Sequence, residues 1–259
     1  MEKIVIFRFH KHPSICLNRL ELLNKLNPGI EIYGIYGGEE KDLSKFEETL
    51  RGHLKHIWVI KNKTNDWKWQ NFDLALRDWY KEIGKDITFD RAYIVEWDLI
   101  LTDSLDNIYA HIPKEELGLT GFNKLSLVEK EWDWVAEEPS RSDWLKLLEF
   151  VKKKYNYSLE PNASLGPGLC LPREFLEKYS EAEVPELCHD ELRVPLYSQI
   201  FNLKCKDTGF YKKWFDDDEK KYFNCVNRDI DIEIIKTEIK NNGRKAFHPF
   251  RKLFHLKLS

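Results

Sequence analysis

The residues of this chain able to do chemistry fall in a few short stretches. Glu96-Trp97-Asp98 directly follows an apolar run and precedes a further acid, Asp103. Carboxylates at i and i+2 point to opposite faces of a continuing strand and converge only where the chain turns. Converged, they suit a hard divalent ion such as Mg²⁺ or Mn²⁺, which also binds diphosphate oxygens; the plainer alternative is a solvated strand end. His189-Asp190-Glu191 stands at the start of a predicted helix. A carboxylate there is placed to act as general base on an acceptor hydroxyl, or to serve only as a cap and first-turn acid. The helix N-terminus favours its ionised form and so lowers its pKa. His248, within Ala246-Phe247-His248-Pro249-Phe250, offers an imidazole ligand beside Arg244, Lys245, Arg251 and Lys252. A departing diphosphate needs such cations. The same segment, 243–259, holds five Lys or Arg and no acid, interleaved with aromatics, and is equally suited to an anionic membrane surface.

Weaker signals accompany these. Gly166-Pro167-Gly168 reads as a tight turn through which backbone approaches a substrate closely. Arg8, leaving the first strand, is placed to meet a phosphate or base, or to make a surface ion pair. Trp67 and Trp69 suit stacking on a base or sugar as well as core packing. Trp132 and Trp134 are candidates for an acceptor platform on composition alone, because aromatics reach 14% of the chain with nine Trp.

The elements that must position these groups can be read from periodicity. Apolar runs at 4–9, 30–36, 57–60 and 93–95 predict strands. Helical spacing at 17–26, 42–50 and 72–80 predicts the helices between them. Strands alternating with helices imply a mostly parallel, doubly wound α/β sheet, whose ligands bind beyond the carboxyl ends of the strands. That rule points to the residues just past each strand: Arg8 to Pro13, Gly37-Gly38, Lys61 to Asp66, and Glu96 to Asp98. Farther on, 117–122 predicts a strand and 123–141 an irregular loop. Helices are expected from Ser142 to about Tyr155, from Pro172, and from His189 or Asp190 to about Leu203.

The 259 residues suffice for one large domain, and 42% hydrophobic with 33% charged residues is the composition of a folded chain. A net charge of −3 argues against a general nucleic-acid binder. Cys16, Cys170, Cys188, Cys205 and Cys225 form no CxxC pair, which favours reduced thiols and a cytoplasmic protein over a disulfide framework or zinc site. The first apolar run is too short for a signal sequence, and no stretch reaches membrane-spanning length. There is no GxSxG, P-loop or GxGxxG.

Taken in order, the αβ N-terminal half, the acidic triplet after the fourth strand, the Gly-rich turn, the acid at a later helix start and the C-terminal His resemble the GT-A glycosyltransferases. The resemblance implies a single Rossmann-like α/β domain with a mostly parallel central sheet flanked by helices. Residues 1–121 would be the nucleotide-binding half and 122–259 the acceptor and catalytic half. It further implies a metal-dependent, inverting transfer of a hexosyl group from a nucleotide-diphospho-sugar to a hydroxyl acceptor, carbohydrate or lipid-linked, with Mn²⁺ or Mg²⁺. Glu96 and Asp98 match the "DxD" acids, with Asp98 the direct ligand. Asp190 and Glu191 stand where the catalytic base of the "xED" motif would be, Glu191 favoured, and His248 where a late metal-binding His would be. Arg8, Gly37, Asp66 and Asp98 would hold the nucleotide-sugar. The composition of the basic tail suits peripheral contact at the inner face of the membrane. The alternatives are a non-catalytic carbohydrate- or membrane-surface-binding module, and a sugar nucleotidyltransferase. The latter usually has a Gly-rich loop after the first strand, and Arg8-Phe9-His10-Lys11-His12-Pro13 has no Gly.

Overall fold

The computed structural model describes residues 2–255. Its strands are β1 (Lys3–Phe9), β2 (Glu31–Tyr36), β3 (His56–Val59), β4 (Arg91–Glu96), β5 (Ile100–Leu101), β6 (Leu117–Lys124), β7 (Asn162–Pro172), β8 (Cys205–Asp207) and β9 (Ala246–Phe247). Its helices are α1 (Pro13–Leu26), α2 (Leu43–Thr49), α3 (Asn65–Gln70), α4 (Phe72–Glu82), α5 (Leu105–Ile108), α6 (Asp133–Ala136), α7 (Ser140–Tyr155), α8 (Arg173–Glu181), α9 (Asp190–Ile200) and α10 (Ile232–Lys240).

Seven strands make one sheet in the order β3-β2-β1-β4-β7-β6-β8. All run the same way except β7, which is antiparallel to both β4 and β6. This is the α/β architecture with a mostly parallel central sheet that the alternation implied. Both faces are covered, and β1 shows why. Ile4 and Ile6 pack to one side with Trp79 of α4, Phe175 of α8 and Tyr197 of α9. Val5, Phe7 and Phe9 pack to the other with Cys16, Leu20 and Leu23 of α1. The two-residue strand period thus feeds two apolar layers, each fully buried large side chain contributing about 1.5–3 kcal/mol.

The strand order reverses between β1 and β4, and there Arg8 lies opposite Glu96 in register. A crevice at such a switch point is where an α/β sheet places a ligand.

Three expectations change. The segment 123–141 is irregular, as expected, but not bare loop: β6 runs to Lys124, a 3-10 turn spans Leu125–Leu127, the four-residue α6 follows, and α7 starts at Ser140 rather than being capped by Ser142. Gly166-Pro167-Gly168 is not a turn but lies inside β7, whose pairing with β6 shifts register on either side of Thr120. Pro167 has no N–H to give the ladder, and Gly168 has φ +79 with Phe210 2.7 Å from where a Cβ would sit, so only glycine fits. The basic tail is not a free arm. β9 pairs with β5, and Phe247, Phe250 and Phe254 are buried against Ile100, Ile230 and Ile235. Arg19, itself buried, donates to the carbonyls of Phe250 and Lys252, while Asn18 exchanges hydrogen bonds with Phe254. The aromatics that membrane docking would use are therefore spent on the core; residues 256–259 lie outside the described part. Among the described residues no helix is long and apolar enough to cross a membrane, and the five cysteines are free.

Candidate active site at the switch point

Beyond the carboxyl ends of β1 and β4 opens a cleft of about 830 Å³. It gathers Arg8, Glu96, Asp98, Asp190, Glu191 and His248, with Trp132, Trp134, Gly166 and Pro167. Gly37 and Asp66 do not line it. Gly37 directly follows β2, with its N–H on the Phe9 carbonyl, and a Cβ there would meet Ile60 and Lys68. Asp66 is exposed in the first turn of α3. Asp103 accepts from Ser104 and Asn107 at the start of α5 instead of joining the other acids. Trp67 donates to Glu186, away from the cleft.

The acidic triplet converges because the strand stops. After β4 the chain turns, with Leu99 N–H on the Glu96 carbonyl at 3.0 Å, so Glu96 and Asp98 face the same space. Asp98 Oδ2 accepts from Arg251 Nε at 3.2 Å, and Arg251 also reaches Asp229 at 3.2 Å. Across 3.6 Å from Asp98 Oδ1 stands His248 Nε2. Burial works against a charge on Asp98, yet His248 and Arg251 hold its carboxyl well below the usual range. Burial likewise opposes protonation of His248, but the charge and contact of Asp98, with Glu96 and the Asn224 carbonyl, together raise the imidazole. Glu96 behaves differently. Burial pushes it up to about 7 against the pull of Arg8; Oε2 accepts the Gly168 N–H at 3.2 Å and Oε1 has no partner.

His248 Nδ1 lies 2.8 Å from the Asn224 carbonyl and so carries a proton. Nε2 therefore faces the Asp98 carboxylate with either a lone pair or a second proton. This nitrogen and Asp98 Oδ1 fit a divalent ion of the kind that takes one or two protein ligands and completes its shell with phosphate oxygens and water. The ion must displace the Nε2 proton to bind. No set of three His, Cys, Asp or Glu ligands gathers among the described residues.

At the other end, α9 begins with the second acidic group. His189 is its N-cap, with Nδ1 3.3 Å from the Glu191 N–H and 2.8 Å from Asp190 Oδ1, the latter off the line of a hydrogen bond. Burial opposes ionisation of Asp190, but His189, Arg8 and Arg193 lower its pKa. Glu191 goes the other way. Burial raises it, and the neighbouring Asp190 adds to the rise, against the pull of His189 and a 2.8 Å hydrogen bond from Gly166 N–H to Oε1. Asp190 is thus lowered in the expected direction, by His189, Arg8 and Arg193, whereas burial prevails at Glu191.

The start of α9 is anchored from below. Arg193, with no exposed surface, grips Asp73 of α4 at 2.7 and 2.6 Å and holds the carbonyls of Leu187 and Cys188. The Tyr179 hydroxyl donates to the same Asp73. Trp134 stacks on the His189 ring at 4.3 Å and 20°, and Trp132 packs edge-on against Trp214. Arg8 donates to the carbonyls of Lys68 and Trp69 at 3.1 Å each and lies over the Phe72 ring.

Buried polar atoms are nearly always hydrogen-bonded. Here Glu96 Oε1, His189 Nε2, Asp190 Oδ1 and Asn224 Oδ1 are buried without a partner, and all four residues line the cleft. His10, within the Arg8 to Pro13 stretch that the switch-point rule marked, lines the same space, as do Tyr211, Trp214 and Asn224, which the sequence left unremarked. His10 is pushed down to about 4 by burial, with Arg8 and Lys11 assisting, and so is neutral near pH 7.

No family model matches the chain, and no curated protein matches it. Among solved structures, those similar to it include glycosyltransferases. One is the bifunctional glycosyltransferase WbbM in its apo form, 8% identical with a TM-score of 0.45, the match covering 95% of this chain and 45% of WbbM. This chain therefore spans less than half of that protein. The others are the galactosyltransferase LgtC with donor and acceptor sugar analogues (14% identity, TM-score 0.41, 80% of this chain and 74% of that one) and an active-site mutant of LgtC (12%, 0.42, 96% and 87%).

Proposed function

We propose that this chain is a GT-A-type glycosyltransferase, built as a single cytoplasmic domain, that moves a hexosyl group from a nucleotide-diphospho-sugar to a hydroxyl acceptor with inversion. The observation that carries this is the concentration of four unpartnered buried polar atoms in one cleft at the switch point, between two acids held in opposite protonation settings. Asp98 is kept ionised among His248, Arg251 and Asp229, a setting suited to a ligand rich in negative charge and its counterion. Glu191 is made more basic than an ordinary carboxylate by its burial, as a proton acceptor requires.

In the reaction, the acceptor oxygen attacks the anomeric carbon as the bond from that carbon to the diphosphate oxygen breaks in line. The hydroxyl proton passes to Glu191, whose Oε1 is fixed by the Gly166 N–H. Arg251, His248 and Arg8 stand ready to stabilise the departing nucleoside diphosphate. Mn²⁺ or Mg²⁺ held by Asp98 and His248, with Glu96 beside them, would supply Lewis-acid neutralisation of that leaving group. Trp134 and its aromatic neighbours flank the acceptor side.

A non-catalytic carbohydrate-binding module is the second reading, favoured by the same aromatic wall. A thermal-shift panel of nucleoside diphosphates and nucleotide-sugars, with and without Mn²⁺, separates the two. Metal-dependent stabilisation by one nucleotide supports the transferase, and no shift with any nucleotide refutes it.

A further inference from the structure

We infer that the wall formed by Trp69, Trp134 and His189 is a sugar subsite that takes an uncharged hexopyranose and turns away an anionic one. Calling it the acceptor subsite rests on the transferase reading; that it binds a neutral sugar does not.

The three rings are continuous. Trp134 stacks on His189 at 4.3 Å, and Trp69 contacts Trp134 at 5.5 Å and His189 at 5.3 Å. Trp69 remains 45% exposed, large for a residue lining a cleft. Such a surface suits the C–H face of a pyranose. At the foot of the wall, His189 Nε2 and Asp190 Oδ1 are buried without partners, their residues only 6% and 5% exposed. They call for a ligand that both donates and accepts hydrogen bonds, and sugar hydroxyls do both.

Charge selects among sugars. Glu131 and Asp133 flank the wall as exposed acids, and Asp190 and Glu191 close it. Against these four acids stand His189 in the wall and Arg8, which donates to the Trp69 carbonyl, while Arg251 and Lys220 are held by Asp98, Asp229 and Asp217. A carboxylate or phosphate on the sugar would meet more acid than base on losing its water.

The test titrates methyl β-D-glucopyranoside and methyl β-D-galactopyranoside against glucuronic acid, by tryptophan fluorescence and saturation-transfer NMR. Each titration is run with and without saturating nucleoside diphosphate and Mn²⁺. A neutral glycoside should bind about tenfold or more tightly than the uronate. Trp69→Ala, at an exposed ring, should weaken that binding about tenfold while leaving thermal stability and any nucleotide shift unchanged. The double variant Glu131→Gln/Asp133→Asn should narrow the gap by admitting the uronate. Equal or tighter uronate binding, no neutral-glycoside binding under either condition, or intact binding in Trp69→Ala overturns the inference. Neutral-glycoside binding without any nucleotide shift leaves the subsite standing and removes the transferase; a nucleotide shift without glycoside binding does the reverse.

Discussion

The two ends of the cleft handle a buried carboxylate in opposite ways. At Asp98, desolvation is overcome because two cations from the folded-back C-terminal segment arrive beside it. At Glu191, desolvation prevails, because its partners are a backbone N–H and a histidine already shared with Asp190. Both acids are nonetheless tied to one piece of chain. The irregular stretch of β7 gives the Gly166 N–H to Glu191 and the Gly168 N–H to Glu96. The comparison teaches that burial alone does not set a carboxylate's task. The charges placed against it do, and a single bulged strand sets two acids of different character facing one cavity.

The largest way to break this contrast is Glu191→Gln, which keeps the Gly166 contact and removes the base. It should lower kcat by about 10²–10⁴-fold with nucleotide affinity unchanged, measured by steady-state transfer and calorimetry. Wild-type rate should climb with pH through the raised Glu191 pKa, above the ordinary 4.5, because the base must be ionised; the variant should lose that limb.

Asp73→Asn strikes the anchor of α9 and leaves Arg193 buried without its carboxylate. A cost of about 3–5 kcal/mol is expected in urea unfolding, with the Asp98 end retaining its geometry. Arg251→Ala sharpens the comparison from the other side. Asp98 would keep only His248, and nucleoside diphosphate should bind about tenfold more weakly, roughly 1.4 kcal/mol.

The smallest expected effect is on stability with pH. The pKa of His189 is raised above 6.5 by Asp190 and Glu191, although burial opposes it. Its charged form therefore stabilises the fold fully below about pH 6.5, and that contribution fades as pH rises through the folded value. The stability gap between wild type and His189→Gln should narrow as pH rises, read by urea unfolding at a series of pH values.

Much of this was legible in the sequence, for identifiable reasons. The abrupt end of the apolar run at Glu96 marked a strand end, and His189-Asp190-Glu191 carried the polar signature of a helix start. Gly166-Pro167-Gly168 misled because glycine and proline punctuate a bulged strand as readily as a turn. The tail misled because its charges are local in sequence while the partners that bury Phe247 and Phe250 lie far away, at Ile100 and Ile235. Gly37 and Asp66 come after their strands as the switch-point rule asks, but β2 and β3 lie on the far side of β1 from β4. Asn224 and Tyr211 sit in an aperiodic segment placed only by tertiary contacts, so no local pattern announced them.

The most direct test is calorimetric titration of the nucleoside diphosphate that stabilises the wild type, in Mn²⁺, into Asp98→Asn and Glu191→Gln side by side. Binding should be lost in Asp98→Asn and kept in Glu191→Gln, since the donor belongs to one end of the cleft and the base to the other. Equal binding in both variants, or loss only in Glu191→Gln, would contradict that division.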